Sequence, residues 1–242
     1  MIAAITGAGG GIGSEVAKSL EAAGHQVVQL GRSDGDLSAL ASVADLVGRL
    51  RSRYERIDLL INNAAIAGQR GVTVDGFELA FAVNYLSHYL ITRALISQQT
   101  RVVNVSSEAH RSASSLDPQR GFGRSRSLLG WTEYAFSKAC QIAFTIELAA
   151  RGVDAYSVHP GVTATGLWRP VPQPLRWLMT RGMAPSAVGA IPVVRAALDR
   201  ELVPGAYITP SGIVEPSCVA SDRLATARLW DQSDHWVGPY LN

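Results

Sequence analysis

The sequence predicts an α/β fold in which a doubly wound parallel sheet is covered by helices on both faces. Short apolar runs bounded by glycine alternate with helical patterns from the second residue onward, an order typical of parallel sheets. Apolar residues make up 47% of the chain and charged residues 17%, so we expect a sizeable core. The sequence shows neither an internal repeat nor a linker, and residues 1–242 are therefore assigned to a single domain.

The apolar pattern places each element in turn. Strands are predicted at residues 2–5, 26–30, 57–61, 101–107, 153–158 and 207–208. Helices are predicted at residues 14–23, 40–54, 75–97, 134–151, 186–200 and 220–236. The region after the second strand is too short for a further helix and strand, so we expect a narrowed sheet or a missing covering helix there.

A glycine-rich turn follows the first strand. Thr6 to Gly13 read T-G-A-G-G-G-I-G and lead into the first helix. Glycines let the backbone approach a pyrophosphate, and a helix N-terminus offers it N–H groups and positive potential. A simple tight turn is the alternative, but the position after the first strand favours a Rossmann-type dinucleotide site. The predicted contacts are Gly7, Gly11, Ile12 and Gly13.

The end of the second strand bears on the choice of cofactor. An acidic side chain there would bind the ribose 2′-hydroxyl of NAD, whereas an arginine pairs with the 2′-phosphate of NADP. The strand is followed by Gly31 and Arg32, which favours NADP. Asp34 and Asp36 follow closely, so NAD stays open.

The helix predicted at 134–151 begins with a tyrosine and a lysine on one face, Tyr134 and Lys138, four positions apart. A free phenol with a pKa of ~10 is a poor acid or base at neutral pH, and a nearby ammonium lowers that pKa. The chain holds two lysines against twenty arginines, which indicates that position 138 requires a compact ammonium. The pair is therefore a candidate proton-transfer device.

Further polar positions are candidate site residues. Ser106 and Ser107 lie at the carboxyl end of a predicted strand, where ligands bind in open α/β sheets. They alternate faces, so one of them points at the crevice. Asn84 and His88 fall on the apolar stripe of the helix predicted at 75–97. Because a buried amide needs partners, Asn84 is either a satisfied core residue or holds a backbone carbonyl or a water at the active site.

Composition limits the partners. The net charge of +2 gives no reason to expect nucleic acid, and no apolar run reaches transmembrane length. Cys140 and Cys218 are isolated, so we expect no metal site and a cytoplasmic, reducing environment. Residues 166–185 combine prolines with apolar bulk, which predicts a lid over an apolar substrate. A membrane-touching surface or a subunit contact is the alternative for that segment.

In order and spacing, these motifs resemble the short-chain dehydrogenase/reductase family over nearly the whole chain. The segments 83–92, 101–110, 147–162 and 227–238 are similar to its retinol dehydrogenase-like branch. The family motifs are matched by the glycine turn, Asp36-Leu37, Asn62-Asn63-Ala64, Asn84, Ser107, Tyr134 with Lys138, and Pro160-Gly161.

The resemblance implies a role for each site residue. Tyr134 would be the general acid/base, Lys138 would lower its pKa and hold the nicotinamide ribose, and Ser107 would bind the substrate carbonyl. Asn84 would hold a water of a proton relay. Further cofactor contacts would come from Asp36, Leu37, Asn63, Ala64, Pro160, Gly161, Thr163 and Thr165.

Three features depart from the family pattern. Ala65 stands where the family usually has glycine, a change expected to crowd the adenine-side turn. The shortened region after the second strand is expected to open the adenosine pocket. The sequence begins directly on the first strand, without the anchor of membrane-bound retinol dehydrogenases, so we do not expect retinoid specificity to carry over.

The sequence thus leads to an NADP(H)-dependent enzyme that interconverts an apolar ketone or aldehyde and its alcohol by hydride transfer. Many relatives pair through two long helices, here 75–97 and 134–151, so the resemblance implies a homodimer or homotetramer. Two alternatives stay open: a non-catalytic NADP-binding sensor or scaffold of the same fold, and an enzyme that reduces carbon–carbon double bonds.

Overall fold

The computed structural model describes residues 1–127, 129–162 and 183–241. Within them, one sheet has the strand order β2-β1-β3-β4-β5-β6-β7. The first six strands run parallel, and β7 pairs antiparallel with β6. The strands are β1 (Ile2–Thr6), β2 (Gln26–Leu30), β3 (Leu59–Asn62), β4 (Arg101–Val105), β5 (Asp154–Val158), β6 (Tyr207–Thr209) and β7 (Gly212–Val214).

Helices cover both faces of the sheet, as predicted. On one face, α1 (Gly11–Ala22) and α6 (Ser186–Leu198) share a core with Ala3 and Ile5 of β1. On the other, α2 (Leu40–Arg53), α4 (Ser87–Leu95) and α5 (Trp131–Ala150) share a core with Ala4 of β1. Successive strand residues point to opposite faces, which is why one short apolar strand serves two cores. Among the described helices, none is long and apolar enough to cross a membrane.

The sheet has few strands on the side of β2, as the short connection between β2 and α2 predicts. In the described part of the chain, β2 pairs with β1 alone. The backbone turns at once after β2, where Gly31 N donates to Asp34 Oδ2 at 2.8 Å. The chain then enters α2 directly, and the predicted shortening is confirmed.

The helix predicted at 75–97 begins later and is interrupted. It starts with α3 (Leu79–Phe81), because Gly76 has a φ of +84° and the Glu78 carboxylate caps the helix by accepting from Phe81 N. A π-helical turn, Ala82–Leu86, joins α3 to α4. Asn84 lies in this turn, and π-turns are frequent at functional sites.

Other element boundaries also shift. β4 ends at Val105, so Ser106 and Ser107 lie just beyond the strand. α5 begins at Trp131 rather than at Tyr134. The short strand β7 escapes the sequence pattern because it has only three residues, which follow a tight turn at Ser211.

The C-terminal helix α7 (Arg223–Val237) packs against α5. Residues 133–145 of α5 are buried throughout, since the sheet covers part of the helix and α7 another part. Trp230 of α7 packs on Tyr89 and Phe144, with ring centroids 5.3 and 5.8 Å apart. α7 therefore covers part of α5, one of the two helices through which subunit pairing is expected from the sequence.

Candidate active site

A cleft of about 1020 Å³ lies along the carboxyl ends of the strands. It is continuous from the glycine turn to α5, the position at which open α/β sheets bind ligands. Asn84 lies outside the lining, and Thr163, Thr165 and most of the predicted lid, 166–185, fall outside the described residues. The predicted site residues that do line the cleft are Gly7, Gly11, Ile12, Gly13, Arg32, Asp36, Leu37, Asn63, Ala64, Ser107, Tyr134, Lys138, Pro160 and Gly161.

The glycine turn leaves room for a dinucleotide. Gly7 has a φ of +70°, and a Cβ on Gly13 would lie 2.4 Å from Gly7 O, so neither position accepts a side chain. A Cβ on Gly10 would meet nothing within 4 Å. Among the described side chains none caps α1, which leaves its first N–H groups for a ligand. The turn therefore fits a diphosphate at the start of α1.

Thr6 joins the ends of β1 and β3. Its Oγ1 accepts from the backbone N–H groups of Asn63 and Ala64, both at 3.0 Å. The Asn63 amide in return donates to Thr6 O at 2.9 Å. Sequence reasoning did not single out Thr6, although a hydroxyl at a strand end beside the glycine turn was a usable signal. These hydrogen bonds hold the ends of β1 and β3 together at the part of the cleft next to the glycine turn.

The adenosine side presents Arg32 and Asp36 to the cleft. Asp34 is engaged by Gly31 N, while Asp36 accepts from Ser38 N and Ser38 Oγ at 2.9 and 2.7 Å. These bonds from Ser38 lower the pKa of Asp36. No described residue other than glycine has a positive φ, so alanine at position 65 causes no backbone strain.

Tyr134 and Lys138 form a buried pair, 4% and 1% exposed. Lys138 Nζ lies 5.6 Å from the Tyr134 ring centroid and donates to Val105 O and Gln141 Oε1, both at 2.8 Å. Burial lowers the pKa of Lys138 to about 7. Burial also raises the pKa of Tyr134 to about 12, against a smaller lowering by its hydrogen bond with Ser107. The pKa of Tyr134 is therefore raised overall, and the expectation that Lys138 lowers it is wrong.

The two serines after β4 differ in burial and in their hydrogen bonds. Both line the cleft, but Ser106 is buried and donates to Lys138 O at 2.8 Å, whereas Ser107 is only half-buried. Ser107 Oγ accepts from Ala109 N at 3.2 Å, and its hydroxyl hydrogen is directed to Tyr134, because the hydrogen bond between the two side chains lowers the pKa of Tyr134. His110 Nδ1 donates to Ser107 O at 2.8 Å, because a carbonyl can only accept, and so holds the serine backbone in place.

The side chain of Asn84 is fully satisfied inside the core. It accepts from Ile66 N at 2.8 Å and donates to Ile66 O and Ser137 Oγ at 3.0 and 2.9 Å. Ser137 Oγ donates in turn to Tyr134 O at 2.8 Å. Asn84 is therefore connected to the helix turn that carries Tyr134, although it does not line the cleft.

Two site residues escaped sequence reasoning. Gln141 is buried and holds Lys138, and its place one helical turn after the lysine was the available signal. Trp131 is 46% exposed, lines the cleft, and has its ring 5.3 Å from that of Tyr134. An isolated tryptophan next to a polar loop carries no sequence signal of that contact.

A glycine-rich turn at the start of α1, at the carboxyl ends of a parallel sheet, is typical of dinucleotide-binding α/β proteins. Comparison with known proteins narrows this class. The family model for short chain dehydrogenases matches residues 33–119. Dehydrogenase/reductase SDR family member 13 of Bos taurus is 33% identical over 98% of this chain and 73% of its own length. The chain belongs to the short-chain dehydrogenase/reductase family.

The retinol dehydrogenase-like branch is confirmed by further similarity. Retinol dehydrogenase 13 of Mus musculus is 32% identical over 84% of this chain, and the alignment spans 66% of that protein's length. A solved structure of an uncharacterized protein from Mycobacterium Paratuberculosis superposes with a TM-score of 0.77, at 27% identity, over 98% of this chain and 93% of its own. Family and cleft together support NAD(P)-dependent oxidoreduction.

Solved structures below 25% identity share the fold alone. They include a gluconate 5-dehydrogenase from Beutenbergia cavernae with bound NADP, at a TM-score of 0.66, 23% identity, and coverage of 86% and 94%. A 3-ketoacyl-(acyl-carrier-protein) reductase from Brucella melitensis complexed with NADH has a TM-score of 0.62, 24% identity, and coverage of 86% and 95%. Both cofactors therefore occur on this fold.

Proposed function

We propose that this chain is an NADP(H)-preferring oxidoreductase that interconverts an apolar ketone or aldehyde and its alcohol. The observation that carries the proposal is that Tyr134, Lys138 and Ser107 share one cleft with the glycine turn. A bound nicotinamide supplies or accepts the hydride. The side chains of the protein handle the proton and the substrate oxygen.

Tyr134 is the proposed general acid/base. In reduction, the substrate oxygen gains negative charge and takes the proton of the Tyr134 hydroxyl. The pKa of Tyr134, raised to about 12 by burial, keeps the phenol protonated until that stronger base forms. Ser107 donates its hydroxyl hydrogen to the same oxygen, which holds the carbonyl beside Tyr134.

Lys138 and Asn84 support the proton transfer. An ammonium has three donors, and two of those on Lys138 go to Val105 and Gln141. The third is left for the nicotinamide ribose. Since the Asn84 side chain is occupied, the relay water is assigned to its backbone carbonyl, which has a second lone pair beside the bond it accepts from His88.

We expect the part of the cleft that takes the substrate to be apolar. Ile66, Leu79, Val83 and Trp131 are among the lining residues of the cleft, and the Trp131 ring lies 5.3 Å from that of Tyr134. Such a surface favours an apolar carbonyl over a charged one, because apolar area gains by leaving water. The names of the relatives, which are retinol dehydrogenases, refer to an apolar alcohol and agree with this class. The lid at 166–185 stays a prediction.

Arg32 supports the preference for NADP. It is exposed at the end of β2 and lines the cleft. Of the two nearby aspartates that would favour NAD, Asp34 is not among the lining residues of the cleft, and Asp36 has one carboxylate oxygen engaged by Ser38. A guanidinium pairs well with a phosphate, so the 2′-phosphate has the better partner.

The test is titration with NADPH and NADH, followed by a panel of apolar carbonyls with the tighter cofactor. We expect turnover to alcohol in the wild type and loss of it, with cofactor binding retained, in Tyr134→Phe. Tyr156→Phe is the matched control, because its hydroxyl bonds Leu202 O at 2.8 Å and Tyr156 does not line the cleft.

Each result that contradicts the proposal points to a different alternative. Full turnover in Tyr134→Phe would refute the assignment of the acid/base. Tight cofactor binding without turnover of any carbonyl would favour the sensor or scaffold. A saturated ketone as product, instead of an alcohol, would identify reduction of a carbon–carbon double bond.

A further inference from the structure

His88 is a buried imidazole that the proposed proton transfer does not use. It lies in α4, one helical turn after Asn84, and is almost completely buried. Its Nδ1 is 2.9 Å from Asn84 O, and its Nε2 is 3.0 Å from Thr6 Oγ1. His88 therefore bridges the π-helical turn and the cofactor-binding end of β1.

The partners of His88 fix its tautomer. A carbonyl can only accept, so Nδ1 must carry the hydrogen that bonds Asn84 O. Burial lowers the pKa of His88 to about 4, and the Lys138 charge adds to the lowering, so the ring is neutral at physiological pH. Nε2 is then an acceptor, and the Thr6 hydroxyl donates to it, while Ile61 O is a more distant acceptor at 3.5 Å.

The hydrogen bonds continue in both directions. On the cofactor side, Thr6 Oγ1 accepts from the N–H groups of Asn63 and Ala64, which line the cleft. On the other side, Asn84 Nδ2 donates to Ser137 Oγ, which donates to Tyr134 O. One buried chain of bonds thus runs from the dinucleotide end of β1 to the backbone of Tyr134.

We propose that His88 is a positioning residue of the hydride-transfer site, which holds Asn84 and the Tyr134 turn in fixed relation to the cofactor-binding end of β1. This inference rests on the proposed function. It assigns His88 two separable tasks: the bond to Asn84 serves proton transfer, and the bond to Thr6 serves cofactor binding. A satisfied core histidine without such tasks would affect stability alone.

Two substitutions separate the tasks. The amide nitrogen of an asparagine at position 88 is placed like Nδ1 of the histidine. His88→Asn therefore retains the hydrogen bond to Asn84 O and loses the one with Thr6. The longer glutamine side chain of His88→Gln reaches Thr6 but loses the hydrogen bond to Asn84 O. His88→Phe removes both bonds at similar volume. His235→Gln, an exposed histidine of α7, is the matched control.

The measurements are the Kd of NADPH by fluorescence, the kcat and KM for a reduced carbonyl, and the melting temperature. For one lost hydrogen bond we expect about a fivefold effect. His88→Gln should lower kcat about fivefold with Kd within about twofold, and His88→Asn should raise Kd about fivefold while retaining more kcat than His88→Gln. His88→Phe should show both effects.

Lowered melting temperatures with wild-type kcat and Kd in the folded variants would overturn the inference and leave the proposed function intact. A wild type that binds NADPH but reduces no carbonyl would refute the proposed function. In that event the Kd of NADPH still tests whether the bond between His88 and Thr6 serves cofactor binding. A higher Kd in His88→Asn but not in His88→Gln supports this role, and equal Kd values in the two variants refute it.

Discussion

The hydroxyl of Tyr89 in α4 donates a 2.8 Å hydrogen bond to Asp234 Oδ1 in α7, two elements far apart in the chain. The same carboxylate lies 3.3 Å from Arg93 Nη2. Tyr89 is fully buried, so its hydroxyl depends on protein partners. This contact fastens the C-terminal helix to the helix that carries His88.

Removal of this carboxylate should loosen α7. Asp234→Ala leaves the Tyr89 hydroxyl with only a 3.2 Å contact to Trp230 O and takes the ion-pair partner from Arg93. We expect the free energy of unfolding to fall by about 1–3 kcal/mol, measured by denaturant unfolding. Asp231→Ala, an exposed residue of the same helix, should change it by less than about 0.5 kcal/mol. Equal effects of the two changes would contradict the assigned role of Asp234.

The position of α7 also predicts the mode of assembly. Because α7 packs over α5, we expect no subunit pairing through α4 and α5. Sedimentation should give the mass of a monomer. If the protein is a dimer, the dimer should persist in the variant Arg228→Glu, which changes the exposed side of α7. A dimer that this change dissociates would show that the α7 face is an interface.

The close packing of the glycine turn predicts opposite effects of two alanine substitutions. In Gly13→Ala the new Cβ would meet Gly7 O at 2.4 Å, so we expect lower stability and at least about tenfold weaker NADPH binding. In Gly48→Ala, at an exposed site of α2, the Cβ meets nothing within 4 Å. That change should stabilise the fold by about 0.5–1 kcal/mol. Unaltered NADPH binding in Gly13→Ala would place the cofactor elsewhere.

Arg32 should discriminate between the cofactors. Arg32→Ala removes the guanidinium proposed to pair with the 2′-phosphate, so the Kd of NADPH should rise about tenfold or more. The Kd of NADH should stay within about twofold, and Arg53→Ala, outside the cleft, should alter neither. An equal loss of affinity for both cofactors would mean that Arg32 does not read the 2′-phosphate.

His88 should make stability depend on acid pH. Its folded-state pKa of about 4 lies below the ordinary 6.5, so between these values the unfolded chain binds a proton that the folded chain does not. Stability therefore falls as pH falls from 6.5 to 4, by up to about 3 kcal/mol. Denaturant unfolding from pH 7.5 to 4 should show a smaller loss in His88→Gln than in the wild type. Parallel curves would indicate that His88 is protonated in the folded state.

The sequence predicted what depends on local pattern. The glycine turn and the helical spacing of Tyr134 and Lys138 follow from turn chemistry and short periodicities. The narrowed sheet followed from a simple length argument after β2.

Other features depend on contacts between distant residues. The bond between Thr6 and His88 joins positions 82 residues apart, and no periodicity encodes it. The predicted direction of the Tyr134 pKa shift was wrong because helical spacing does not show the burial that raises this pKa. The π-helical turn at Asn84 arises where α3 and α4 meet, and the apolar stripe continues across it.

The narrow sheet also bears on self-association. The outer edge of β2 presents backbone N–H and C=O groups, which can template pairing with another chain. One feature works against such aggregation, because β2 is only five residues long; its exposed residues are Gln26 and Gln29. The Gln29 amide is directed to Glu21 of α1 at 3.2 Å. The short length of the strand at this edge therefore limits the number of hydrogen bonds that a second chain could form with it.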